Sequence, residues 1–196
     1  MRIQRDPCLA FPKALDLEKY FPHRWAGDFD SLASRRVSNI LGVEKLIVLS
    51  HDRRRILHTA VTSELSREWT TQQFREAFPY ATLPKYLVHD RDRNFSGLHK
   101  LDIRELITRG GCPWQNGRAE RIIGSIRREC LDHQIILGEA HLRRVLQKYL
   151  DYYNRYRTHL SLEKDSPDGR DPQSLGKVCG RPILGGLHHV YERQVA

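Results

Sequence analysis

EKLIVLSHDRRRILHTAVTS, residues 44–63, carries two apolar, β-prone runs on either side of the polar turn Ser50-His51-Asp52-Arg53. That pattern predicts two adjacent antiparallel strands joined as a hairpin. Beyond it, SREWTTQQFREAF (66–78) opens with Ser66 as a candidate N-cap and sets Trp69, Phe74 and Phe78 near one helical face. Pro79 and Pro84 bracket the exit of that helix. KYLVHD (85–90) then reads as a short apolar strand ending on an aspartate.

Further along, residues 99–109 predict a short helix, interrupted by Gly110, Gly111, Cys112 and Pro113. A long helix is expected from Gly117 to His133: Ala119, Ile122, Ile126 and Cys130 are spaced for burial, while Arg121, Ser125 and Arg128 share another face. A second runs from Gly138 to Tyr156 with Leu142, Leu146, Tyr149 and Tyr153 on its apolar side. After His159 the composition turns to Asp, Pro and Gly, so 163–182 is expected as loop and GGLHHVYERQV as a terminal extended piece. Residues 1–24 show no sustained period and read as an irregular arm. Strand, strand, helix, strand, helices is the order of an α/β or α+β layer structure, and the hairpin argues against an all-parallel sheet.

The chain has 196 residues, enough for one domain with a real core and loosely attached ends. With 39% hydrophobic and 29% charged residues it is neither disordered nor fibrous in composition. No apolar run approaches the roughly eighteen residues of a membrane-spanning helix, and residues 1–25 lack the apolar centre of a signal peptide, so a cytoplasmic setting is expected. Lys and Arg outnumber Asp and Glu by 33 to 24, and the net charge of +9 favours a polyanionic partner such as nucleic acid. Cys8, Cys112, Cys130 and Cys179 are widely separated, without a CxxC pair or histidines at zinc-ligand spacing, and are expected to be reduced and structural. His188 and His189 are adjacent in a stretch expected to be extended, where neighbouring side chains point oppositely, which argues against a shared metal.

Two carboxylates stand where chemistry is commonly built. Asp90 ends a strand at the loop HDRDRNFSG, and Glu120 lies in the first turn of a helix. Such positions converge in clefts. Carboxylates held together can bind two divalent metals about 3.5–4 Å apart, one activating the attacking oxygen and one stabilising the leaving oxygen of a phosphodiester. Hard oxygen ligands select Mg2+ or Mn2+. Position alone favours Asp90 as a strand-ending turn residue and Glu120 as a complement to the helix dipole.

Particular words of sequence add to this. PWQNGRAERIIGSIRREC (113–130), followed by YYNRYRTHLSL (152–162), resembles the end of the catalytic core of DDE transposases and retroviral-type integrases, in the bacterial insertion-sequence branch. Upstream, KLIVLSHDRRRILHTAVT is similar to that family's second and third strands, and KYLVHDRDRNF to the strand delivering its second aspartate. The resemblance spans residues 43–160 and implies a ribonuclease-H-like α/β fold, a mixed five-stranded sheet flanked by helices. It divides the chain into an arm (1–24), an integrase-like core (25–160) and a C-terminal tail (161–196). By the same resemblance Glu120 is the third catalytic carboxylate and Asp90 the second, with Asp92 two residues beyond. Tyr153, Asn154, Arg157 and His159 match a recurrent downstream element.

The resemblance implies a first catalytic and metal-binding aspartate, for which the candidates are Asp28 and Asp30. Asp28 has the better local words, Trp25-Ala26 before it and Phe29 after it, and Asp30 the better distance to the Ser50-His51 turn. The implied reaction is hydrolysis at transposon ends followed by attack of the new 3'-hydroxyl on target DNA. It uses Mg2+ or Mn2+ and a homo-oligomer, with Arg118, Arg121, Arg127 and Arg128 available to meet DNA phosphates. Trp114 and Gln115 read as cleft-lining, or Trp114 as a packing anchor.

Two features depart from the family pattern. Ser31 to Asn39 is polar and basic where an alternating apolar strand is expected, and 29 residues (91–119) separate Asp90 from Glu120. That is about five fewer than the resemblance implies, more than one helical turn. Such departures also suit a decayed copy that folds and binds DNA without catalysis.

Overall fold

The computed structural model describes residues 31–40, 42–79 and 83–195; Asp28, Asp30, Cys8 and the expected arm lie outside them. Five strands form one sheet in the order β3-β2-β1-β4-β5. They are β1 (Ser31–Ile40), β2 (Val43–Ser50), β3 (Ile56–Thr62), β4 (Tyr86–His89) and β5 (Arg104–Ile107). β1, β2 and β3 pair antiparallel, and β4 runs parallel to both β1 and β5. Among the described residues three α-helices accompany the sheet: α1 (Arg67–Ala77), α2 (Gly117–Glu129) and α3 (Glu139–Arg155). This is the expected mixed sheet flanked by helices.

β2 is buried on both faces, which explains the continuous apolar run Leu46–Leu49 at its centre. Val43, Ile47 and Leu49 join Ala119, Ile122 and Ile126 of α2 and Leu142, Leu146 and Tyr149 of α3 in one core. Leu46 and Val48 point the other way, to Phe74 of α1 with Leu87, Phe95 and Leu98. Lys45 is buried on the α2–α3 side, and burial lowers its pKa against the opposing pull of Glu44. The hairpin closes through Ser50 N donating to Arg55 O (2.8 Å), with Arg54 in the left-handed region at φ 61°.

α1 begins as expected: Ser66 Oγ accepts from Trp69 N at 3.0 Å, and Phe74 is fully buried with Trp69 and Phe78 packed beside it. The helices expected from Gly117 and Gly138 are α2 and α3, each ending slightly earlier than its pattern suggested. Three other segments differ. Residues 99–109 are not a helix: one 3-10 turn (Leu98–Leu101) gives way to strand β5, whose Arg104–Ile107 lie opposite Tyr86–His89. Asp102, at φ 60°, stops the turn, and a four-residue run is too short for periodicity to distinguish strand from helix. Ser31–Ile40, for all its polar residues, is the central strand, paired on both sides. Within the stretch expected as loop over 163–182, β6 (Lys177–Ile183) begins and pairs antiparallel with β7 (His188–Gln194). That hairpin buries Leu184 and Val190, Leu184 as part of the α2–α3 core.

Cys112 and Cys130 are buried and Cys179 is partly so, and among the described residues none of the three forms a disulfide with another. Burial pushes the Cys130 thiol up to about 11. No helix among the described residues is long and apolar enough to cross a membrane.

Asn154 ties α3 to the sheet. Its Oδ1 accepts from Ile56 N (3.0 Å) and its Nδ2 donates to Ile56 O (2.8 Å), both buried. Asn154→Ala leaves two backbone groups of an edge strand unsatisfied, so a loss of about 3 kcal/mol in urea unfolding is expected. A loss under about 1 kcal/mol would show the clamp to be dispensable.

Candidate active site

Asp90 leaves the C-terminal end of β4. Val88, two residues earlier, packs in the same core as Ala119 and Ile122 of α2, so strand alternation puts Asp90 on the face that α2 covers. His89 Nδ1 donates to Asp90 O at 2.5 Å, and His89 itself is buried against Phe95, ring centroids 4.8 Å apart. Asp90 Oδ1 is buried and accepts no hydrogen bond among the described residues. Asp92 differs: its Oδ1 caps the following turn, accepting from Asn94 N (2.9 Å) and Asn94 Nδ2 (2.8 Å). Of two aspartates in one tripeptide, Asp92 is held in the turn and Asp90 keeps an oxygen uncommitted.

Glu120 stands in the first turn of α2, next to the buried Ala119. Entry to the helix is fixed by a 3-10 turn, Pro113–Asn116, in which Gln115 Oε1 accepts from Arg109 N at 2.6 Å and Trp114 remains exposed. α2 packs over β1, and β4 pairs with β1, so Asp90 and Glu120 ride on two elements adjoining the same central strand.

β1 contributes no carboxylate: Ser31 to Ile40 contains neither Asp nor Glu. Ser31 lies opposite Tyr86 and Ala33 opposite Val88, so continuing the register sets Arg35 level with Asp90. The strand therefore begins four residues, about 13 Å of chain at 3.3 Å per residue, from that level. No group of three or more His, Cys, Asp or Glu among the described residues could hold a metal ion. The described donor set thus supplies two hard-oxygen residues and not the third.

The downstream word YYNRYRTH is a structural clamp. Arg157 grips Glu129 at the end of α2 with Nε to Oε2 at 2.7 Å and Nη2 to Oε1 at 2.5 Å. Tyr149 OH donates to Oε2 at 2.8 Å. Burial opposes the Glu129 charge, but hydrogen bonds from Arg157 and Tyr149 outweigh it and hold the carboxyl below its ordinary range. Glu129 was not marked by local sequence pattern, since its partner is 28 residues away. His188 Nε2 donates to Glu129 O (2.8 Å) and stacks on Tyr152, while His189 lies beside Tyr191, so the adjacent histidines do separate.

Arg118, Arg121 and Arg128 are all exposed on α2. Arg118 and Arg121 line one groove, whereas the Arg128 guanidinium lies back along the helix over Gly124. Burial and then the nearby Arg54 lower the Arg118 pKa.

With this geometry in place, comparison with known proteins is informative. Residues 101–167 match the family model described as integrase core domain. No curated protein matches the chain. Among solved structures, the catalytic core domain of BIV integrase aligns with TM-score 0.54 at 13% identity, covering 72% of this chain and 92% of that one. The HTLV-2 integrase catalytic core domain in complex with magnesium, in its dimeric form, aligns with TM-score 0.57 at 11% identity, covering 74% and 98%. The simian T-cell lymphotropic virus intasome chain, in complex with a PP2A regulatory subunit, aligns with TM-score 0.54 at 12% identity, covering 83% and 66%. The chain has the ribonuclease-H-like fold of integrase catalytic cores. Over residues 101–167 it matches the integrase core domain family model.

Two histidines give the fold an acid limit. Burial first and Arg118 second hold His51 at about 4; burial, then Arg157 and Arg54, hold His159 at about 4. Arg157 Nη1 donates to His159 Nδ1 at 3.0 Å, which needs an unprotonated nitrogen there. The unfolded chain takes up these protons near pH 6.5 and the folded chain only near pH 4, so stability is full above about 6.5 and declines as the pH falls through that window. Urea midpoints measured at pH 7 and pH 5 should drop less for His159→Asn than for the native chain. An identical drop would refute the assignment.

Proposed function

We propose that this chain acts in DNA integration or transposition by strand transfer, using Asp90 and Glu120 as two carboxylates of a metal site completed by Asp28, or alternatively Asp30. The observation that carries the reading is Asp90: a buried oxygen without a hydrogen-bond partner among the described residues, on the sheet face covered by the helix that presents Glu120. A carboxylate oxygen desolvated without a donor is costly unless a cation or proton meets it. Mg2+ or Mn2+ would suit these hard oxygens, and when bound such ions supply activation of an attacking oxygen and stabilisation of a leaving one. The chain's own contribution is placement: the His89 contact fixes the Asp90 backbone, and the Gln115 contact fixes the entry to α2. The net charge of +9 and the exposed Arg118, Arg121 and Arg128 support DNA, as element ends and target, as the partner. The HTLV-2 core is described with magnesium and in a dimeric form, and the simian viral protein in an intasome, which supports metal use and a homo-oligomer here. The setting would be cytoplasmic.

A second reading, a folded DNA-binding remnant without catalysis, is favoured by one observation. The central strand holds no carboxylate, and the register level with Asp90 is Arg35.

A strand-transfer assay on terminal DNA with magnesium or manganese separates the two. Glu120→Gln and Asp90→Asn should each lower metal-dependent joining by at least ~100-fold, and whichever of Asp28→Asn and Asp30→Asn does the same identifies the first carboxylate. Equal activity in native and Glu120→Gln chains would reject the catalytic assignment. DNA binding without any metal-dependent joining by the native chain would establish the remnant.

A further inference from the structure

The tripeptide Arg53-Arg54-Arg55 in the β2–β3 turn divides its three charges. Arg53 is committed to the loop after α3, with Nη2 to Asp165 Oδ2 at 2.6 Å and Nε to Pro167 O at 2.8 Å. Arg55 pairs with Asp168 at 2.8 Å. Arg54, between them, is turned the other way by its left-handed backbone (φ 61°), a conformation unfavourable for a side chain-bearing residue. It lines a groove of about 390 Å³ between α2 and the segment after α3, together with Arg118 and Arg121 and above Tyr153 and His159. Among the described residues none of Arg54, Arg118 and Arg121 makes a hydrogen bond or ion pair with the protein. Asp52 is near enough to act on Arg118 electrostatically, yet it is not ion-paired to it. Three guanidinium groups are thus gathered at one concavity where like charges oppose one another, and among the described residues no carboxylate is ion-paired to them there. A polyanion does so naturally.

The groove lies on another side of α2 from Glu120. At 100° per residue Arg118 and Arg121 are 60° apart around α2, whereas Glu120 is about 100° from Arg121 and 160° from Arg118. An anion held there lies on a different side of the helix from the Glu120 carboxylate.

We propose that this groove binds a non-reacting backbone phosphate of duplex DNA, gripped by Arg54, Arg118 and Arg121, and so acts as an anchoring subsite apart from the reacting one. The proposal rests on the reading that the chain acts on DNA. Arg54 is the discriminating residue, because glycine suits a left-handed turn: Arg54→Gly removes the charge while relieving the backbone.

The test is equilibrium binding of a fluorescent duplex across a salt series to the full chain, with Arg54→Gly, Arg121→Gln and, as a control, the exposed Arg144→Gln on α3. Arg54→Gly should keep or raise the urea midpoint yet weaken duplex binding about tenfold. Each groove variant should also reduce the slope of log affinity against log salt by about 0.9, the value for one phosphate contact. Arg144→Gln should alter neither by as much. If the native chain binds the duplex while the groove variants match Arg144→Gln, the subsite is overturned and the DNA reading stands. If the native chain binds no duplex even at low salt, both fall. Saturable binding of inorganic phosphate that Arg54→Gly abolishes, with duplex binding unaltered, would mark a free-anion site and overturn the proposal.

Discussion

The bidentate pair between Arg157 and Glu129 is the interaction from which the helical layer takes its arrangement. Glu129 ends α2, Arg157 follows α3, and Tyr149 within α3 donates to the same carboxylate. Both charges are largely removed from water, their side chains 24% and 29% exposed, so loss of either partner would leave the other partly desolvated and alone. The pair reaches outward in two directions. Arg157 lies over the Tyr153 ring and donates to His159, forming the floor and wall of the arginine groove. On the other side the Glu129 carbonyl receives His188, which docks the C-terminal hairpin. α2 is therefore held at both ends, by this pair at its last residue and by the Gln115 contact at the entry that carries Arg118 and Glu120.

Much of this architecture was legible in the sequence. The β2–β3 hairpin, α1, α2 and α3 are each long and periodic enough for burial to leave a pattern, and Ser66 caps α1 as its residue type suggests. Of the three strands that escaped, β5 and β1 are instructive. RELI is a strand because Tyr86–His89 lie beside it, not because of anything in four residues. SLASRRVSNI has the composition of a surface segment, and only its two neighbours make it the centre of the sheet.

The site was legible to a lesser degree. Asp90 and Glu120 could be nominated from strand-end and helix-start positions and from the words around them. The distinction between Asp90 and Asp92 depended on hydrogen bonds to Asn94 that no spacing reveals in advance. Glu129 and Arg54 were invisible for opposite reasons. The first acts across 28 residues of chain, and the second sits in a run of three identical residues that differ only in backbone conformation. Between β4 and β5 the chain makes two 3-10 turns, Arg93–Phe95 and Leu98–Leu101.

The arginine turn also carries a phase. Because Arg53 and Arg55 hold the loop at 165–168 while Arg54 faces the groove, structural and unpaired charges alternate along three consecutive positions. Inserting or deleting one residue within that turn would exchange the two sets, pointing clamp residues at the groove and an anchoring residue at the loop. Composition and net charge would hardly change. The turn therefore tolerates no drift in length, although it lies on the surface, where length is usually the most negotiable property of a chain.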